Sequence, residues 1–387
     1  MRTALYLALV SLATTVNGAF AQEAPSRPFD GVVKVRGATV PDEDRQTPPP
    51  SASRIPLGDE GFLEFHFLLQ AWFLQSLDSQ NPYVRPERAH TTFLIRRSEL
   101  KFAGDVIPQV GFEVMIDPSR VLELGSRTLV APPQNTETIQ VPQPVSSVTM
   151  LQDAFVTFKF VPDVGVSVGQ GHTPISHEGL QSSSDLLFVE RADVSRLFGD
   201  QRDIGVWVKG RAKRVRYTAG LFNGSGASHL DVAPHKDFAA RLEHTLPNGL
   251  GTGASVLRTL AGDGPGTHTV AGGDAFWKRD RLTVTGELYW QQSVSSDQAA
   301  IETERLGSFL AVAYLIAHTR YEWQVAGRVD WFDPSRNRAD DDLLRITGGL
   351  NILLKGNRAK VQVNFTHTQA THPGNNNLIL LNSQVAF

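Results

Sequence analysis

The stretch Leu63-Glu64-Phe65-His66-Phe67-Leu68-Leu69-Gln70-Ala71-Trp72-Phe73 puts Leu63, Phe65, Phe67, Leu69, Ala71 and Phe73 on one side of an extended chain. Glu64, His66 and Gln70 fall on the other. Side chains alternate across a strand with a period of two, so this pattern reads as a strand with one apolar and one polar face. It recurs near the end of the chain, where Ala359, Val361, Val363 and Phe365 oppose Lys360, Gln362, Asn364 and Thr366. It recurs between them too, with Ile204, Val206 and Val208 against Asp203, Trp207 and Lys209, and with Leu282, Val284, Leu288 and Trp290 against Thr283, Glu287 and Gln291.

Sixteen segments of this kind can be traced: 62–74, 90–103, 110–117, 150–160, 164–170, 202–211, 214–222, 236–245, 252–259, 268–278, 281–291, 304–316, 320–332, 343–354, 358–368 and 378–387. Their connections alternate in length. Short ones (104–109, 161–163, 212–213, 246–251, 279–280, 317–319, 355–357) follow long ones (75–89, 118–149, 171–201, 223–235, 260–267, 292–303, 333–342, 369–377). A soluble sandwich has no reason to sort its loops in this way. A transmembrane barrel with both chain ends in the periplasm does, with short periplasmic turns and long outer loops. The expected fold is therefore all-β, a 16-stranded antiparallel transmembrane β-barrel. Trp323 and Trp331 share an apolar face eight residues apart. That is about 26 Å of strand, or roughly 20 Å of membrane normal at a 40° tilt, close to the height of the apolar band between aromatic girdles.

Composition agrees. The first residues read as a secretory signal peptide over 1–21, with Arg2, an apolar run from Ala4 to Ala13, and Ala19-Phe20-Ala21 before the cut. Removing it leaves 36 basic and 40 acidic residues, a formal charge of −4, which gives no reason to expect nucleic acid. Residues 22–57 hold Pro25, Pro28, Pro41, Pro48, Pro49, Pro50 and Pro56 and read as a periplasmic leader. Residues 58–387 form the barrel domain; about 330 residues exceed the usual size of a filled core, which a water-filled barrel escapes. The chain has no cysteine, so disulfides and thiolate metal sites are excluded. No cofactor is expected.

Several stretches resemble the phosphate-selective porin O and P family, over most of the chain from Phe62 to Phe387. The most specific runs from Ser182 to Arg191 (SSSDLLFVER) and on through Arg202-Asp203-Ile204-Gly205-Val206. Ile95–Phe102 (IRRSELKF), Leu151–Val156 (LQDAFV), Leu221–Gly226 (LFNGSG) and Trp331-Phe332-Asp333-Pro334 support it. The resemblance implies an outer-membrane porin, a homotrimer, and a third outer loop folded into the pore. It also implies basic residues that draw anions such as phosphate. The chain ends in Phe387, as such barrels do where the assembly machinery reads the last strand. The partners expected are thus the outer-membrane bilayer, that machinery, and small solutes in transit.

Face parity places Lys159, Lys209, Arg211, Arg216, Arg241, Arg328 and Lys360 on the pore-lining side, with Glu64, Asp153, Asp203, Glu243, Glu287, Glu322 and Asp330. In the third long connection, His172, Glu190, Arg191, Asp193 and Arg196 are the expected constriction residues. The mixture of signs argues for a general pore with weak selectivity. The alternatives are an outer-membrane hydrolase or a secreted soluble β-sheet ligand-binding protein. Gly165-Val166-Ser167-Val168-Gly169 matches G-x-S-x-G, but it lies in an alternating strand where a nucleophile elbow needs a strand–turn–helix. His172, His177 and Glu178 lack helical metal-site spacing. The chain is expected not to be an enzyme.

Overall fold

The fold is taken from a computed structural model. It describes residues 54–77, 91–121, 124–129, 139–144, 150–229, 231, 235–260, 266–294, 302–318, 320–338, 341–370 and 376–387. The signal peptide and most of the leader lie outside them.

The strands are β1 (Arg54–Leu57), β2 (Gly61–Ser76), β3 (Thr91–Ile107), β4 (Val110–Ile116), β5 (Leu124–Leu129), β6 (Ile139–Pro144), β7 (Leu151–Val161), β8 (Val164–His172), β9 (Arg202–Ala212) and β10 (Val215–Phe222). They continue as β11 (Asp237–Thr245), β12 (Leu250–Thr259), β13 (His268–Arg279), β14 (Leu282–Val294), β15 (Glu302–His318), β16 (Glu322–Asp333), β17 (Leu343–Leu353), β18 (Ala359–Ala370) and β19 (Asn376–Ala386). Sixteen of them, β2 to β4 and β7 to β19, form one antiparallel ring in sequence order. The ring closes where β19 pairs with β2, from Leu378 opposite Ser76 to Ala386 opposite Leu68. Closure leaves few unpaired ladder groups, which is what a strand-built wall in lipid requires.

The alternation decides which face is which. Along β18 the side chains of Lys360, Gln362, Asn364, Thr366 and Thr368 are buried, while Val363 and Phe365 are exposed. Large apolar side chains lie open on the other strands too, such as Phe93 at 80% and Phe160 at 70% exposure. In water these would be a liability; against acyl chains they are the apolar band.

Two features depart from the sequence reading. Residues 54–57, assigned there to the leader, form β1 on the edge of β2 through Arg54 to Glu64 and Leu57 to Gly61 pairing. β2 begins seven residues before the point where β19 reaches it, so β1 occupies an edge that the chain end leaves open. The long connection 118–149 contains a 3-10 turn at Pro118–Val121 and a two-stranded sheet, β5 with β6.

Candidate constriction site

The connection between β8 and β9 carries the site. It contains a short helix, His177–Leu180, a 3-10 turn at Ser183–Asp185 and a π-turn at Ser195–Gly199. One side of it is apolar. Ile175, Phe188, Val194 and Phe198 are buried with Trp207, Phe222, Phe309 and Phe332 of the wall in one hydrophobic cluster.

The other side is held by its backbone. Gln70 Nε2 donates to Ser183 O (3.1 Å), Gln384 Nε2 to Ser184 O (2.9 Å) and Lys360 Nζ to Leu186 O (2.9 Å). Asn351 Nδ2 donates to Leu187 O (2.9 Å), Arg328 Nη1 to Glu190 O (2.9 Å), and Val189 N–H to Asn364 Oδ1 (2.7 Å). A segment without a regular ladder must satisfy its buried peptide groups elsewhere, and here the polar face of β2 and β16–β19 satisfies them. Of those strands, β16 and β17 stand directly across the ring from β8 and β9. The short helix is anchored by Glu287 of β14, whose Oε1 accepts from Glu178 N–H (2.6 Å) and whose Oε2 accepts from Ser176 Oγ (2.6 Å). A carboxylate at a helix start satisfies otherwise orphaned N–H groups.

Glu190 is the electrostatic centre. Its Oε2 accepts from Arg96 Nε (3.1 Å) and lies 3.4 Å from Arg196 Nη1; its Oε1 accepts from Arg97 Nη2 (3.2 Å). Burial by itself would raise its pKa, but Arg96, Arg97, Arg196 and Arg191 together hold it well below the ordinary glutamate range. Asp200 is lowered too, burial being outweighed by Arg191, His172 and Arg202. His177, mainly through burial, is lowered as well.

The expected site residues separate into groups. Arg196 is 55% exposed at its side chain and touches Glu190. Arg191 is 4% exposed and does not meet Glu190 through its guanidinium. It donates instead to Glu178 O (3.1 Å) and Ser183 Oγ (3.4 Å), with Asp200 at 3.6 Å, so it braces the loop from within. Asp193 pairs with Arg345, and His172 is the last residue of β8.

Among the parity-assigned cations, Arg328 and Lys360 are buried under the loop. Arg241 is buried against Asp274 (2.6 Å) and Glu243 (3.0 Å). Lys159 pairs with Asp105 (2.6 Å) and Arg216 with Glu243 (3.1 Å). Lys209 and Arg211 are half-buried. Parity could not reveal this pairing, because ladder register decides it.

Ser167 of the G-x-S-x-G match lies within β8, its hydroxyl 2.8 Å from that of Thr157, with no elbow. Among the described residues the metal-ligand types gathered within 4.8 Å are Asp333, Asp341 and Asp342, not the two histidines and Glu178.

A closed sixteen-stranded antiparallel ring with lipid-facing apolar strands defines an outer-membrane channel of the porin type. A family model, phosphate-selective porin O and P, matches residues 70–264, half of the chain, and the chain belongs to that family. The fold is similar to the outer-membrane channel DcaP of Acinetobacter baumannii, at 11% identity and a TM-score of 0.58, over 87% of this chain and 100% of that one. It is also similar to the anion-selective porin from Comamonas acidovorans, at 10% identity and a TM-score of 0.56, over 85% and 100% of the two chains. A loop L8 deletion mutant of OmpT from Vibrio cholerae follows at 11% identity and 0.54, over 85% and 100%. No curated protein matches by sequence.

Proposed function

We propose that this outer-membrane porin is a passive, non-enzymatic channel for small hydrophilic solutes, constricted where the 173–201 segment crosses its lumen. The single observation that carries this reading is the run of backbone bonds from that segment to β16–β19 and on to β2, an arc that includes the strands directly opposite its roots. A path through the lumen is the geometry that supplies those partners. In this reading the long connections face outward, the short turns face the periplasm, residues 1–21 are removed on export, and the porin works as a homotrimer.

Selectivity is weak and leans towards anions. Most inner cations have a carboxylate or carbonyl partner, as Lys159, Arg241, Arg328 and Arg345 do. A paired charge offers little net field to a passing ion. Arg196 is the most exposed of three arginines that share the single carboxylate of Glu190, so net positive charge remains there, and confined water makes it act strongly. Bilayer recordings in a salt gradient test this. Arg196→Ala is expected to move the reversal potential towards cations, whereas Arg336→Ala with Arg338→Ala, exposed in another long connection, is expected to shift it far less because bulk salt screens them. Equal shifts would remove the segment from the role of filter.

A further inference from the structure

Charge divides the short turns into two arcs. Lys213 and Arg214 stand between β9 and β10, Lys278, Arg279 and Arg281 at the β13–β14 turn, Arg320 before β16 and Lys355 after β17, all exposed. The acids near them are Asp280, 4.0 Å from Arg279 Nε, Glu322 at the start of β16, and Asp185, which accepts from Asn357 of the β17–β18 turn (2.7 Å). On the other arc, the β3–β4 and β7–β8 turns carry exposed Val106, Ile107, Phe160 and Val161, and no exposed lysine or arginine.

The basic arc also has an aromatic rim. Tyr217, Trp277, Tyr314 and Trp323 share the outward parity of their strands, each a few residues from a short turn. Tyrosine and tryptophan on a lipid-facing wall mark the boundary between acyl chains and headgroups. Arg279 is on the same face as Trp277 and two residues nearer the turn. That is about 7 Å of strand, or roughly 5 Å of membrane normal at a 40° tilt. Arg320 sits with its guanidinium 5.4 Å from the centre of the Tyr321 ring. The cations therefore lie just beyond the rim, at the level of lipid phosphates.

We propose that this arc, from β9 to β18, is a docking surface for the phosphate groups of acidic phospholipids in the leaflet on the short-turn side. A phosphate accepts hydrogen bonds from several arginines at once, and a cluster of cations beside headgroups favours lipids with net negative charge. A zwitterionic lipid brings an amine that cancels this attraction. The inference is independent of what passes through the pore.

The full-length porin would be transferred from detergent into mixed bilayers of phosphatidylglycerol and phosphatidylcholine, re-extracted, and its retained lipid measured by native mass spectrometry. The wild type is expected to keep phosphatidylglycerol with a preference of about tenfold or more, falling as salt is raised. Arg279→Ser, Arg281→Ser, Arg320→Ser and Lys355→Ser combined should bring the preference close to parity. Arg336→Ser with Arg338→Ser should leave it intact. Heat-modifiable migration of each variant on a gel establishes that its barrel has formed. No preference in the wild type, full preference in the fourfold variant, or equal loss in the control would each overturn the proposal. So would a fourfold variant that changes only conductance, since the cations would then serve the channel mouth.

Discussion

Arg96 and Arg97 are adjacent, and strict alternation sends them to opposite faces, yet both reach Glu190. The cause is a bulge: Gln70 pairs with Arg97 and Ala71 with Ile95, which leaves Arg96 as an extra residue in β3. A bulge re-aims a side chain at the cost of one ladder position. Glu190 gains from it, and its charge should be felt as stability. Because its pKa lies well below the ordinary value when folded, its contribution is fully present above the unfolded-state value near pH 4.3. It is lost as pH falls through the folded value. Glu190→Gln is expected to be roughly 2–3 kcal/mol less stable than the wild type at neutral pH, since it strands buried arginines. That gap should stay constant from pH 7 to about pH 5 and close in stronger acid. Denaturant unfolding in detergent across pH measures it; a gap that does not close in acid would show that packing, not charge, accounts for the loss.

At the scale of elements, the wall and the inner segment are held by different bonds. The wall stands on its backbone ladders, whereas the segment hangs from side chains such as Asn351 and Asn364. Each such bond contributes about 1 kcal/mol net, so the segment can be loosened without opening the ring. Asn351→Ala with Asn364→Ala should therefore form a normal heat-modifiable barrel whose single-channel conductance is larger and noisier. An unchanged, quiet conductance would mean that the segment does not limit the pore. Arg191 is the opposite case: its buried bonds to Glu178 O and Ser183 Oγ lie inside the segment, so removing it would disturb the loop and give no clean reading of selectivity.

At the scale of the molecule, the ring has one seam between its first and last strands. Phe387 N–H donates to Phe67 O (3.0 Å), Phe67 N–H donates to Phe387 O (2.8 Å), and the two rings lie 5.3 Å apart. Phe387 therefore extends the seam by one bonded pair, and we propose that this pairing is needed for the barrel to assemble. Deleting Phe387 should lower the amount of heat-modifiable barrel in outer-membrane fractions several-fold. Wild-type amounts of the truncated chain would exclude that role.

Local periodicity alone was enough to set the ring. A period of two is a local property, and once lipid takes one face and water the other, each strand follows from its own residues. All sixteen barrel strands were legible in this way, from Leu63–Phe73 to the strand ending at Phe387, and so were the long and short connections between them. β1 was hidden among prolines because four residues hold too little pattern, and only the open edge of β2 gives them a place. The candidate site was legible as a stretch of chain, the connection between β8 and β9, but not as a set of contacts. Arg96 needed a bulge, Arg191 turned inward to carbonyls of its own loop, and Lys360 and Arg328 were covered by it. The covering of Lys360 and Arg328 joins residues more than a hundred positions apart, and the path of the segment that makes these contacts is a tertiary outcome that no local periodicity encodes.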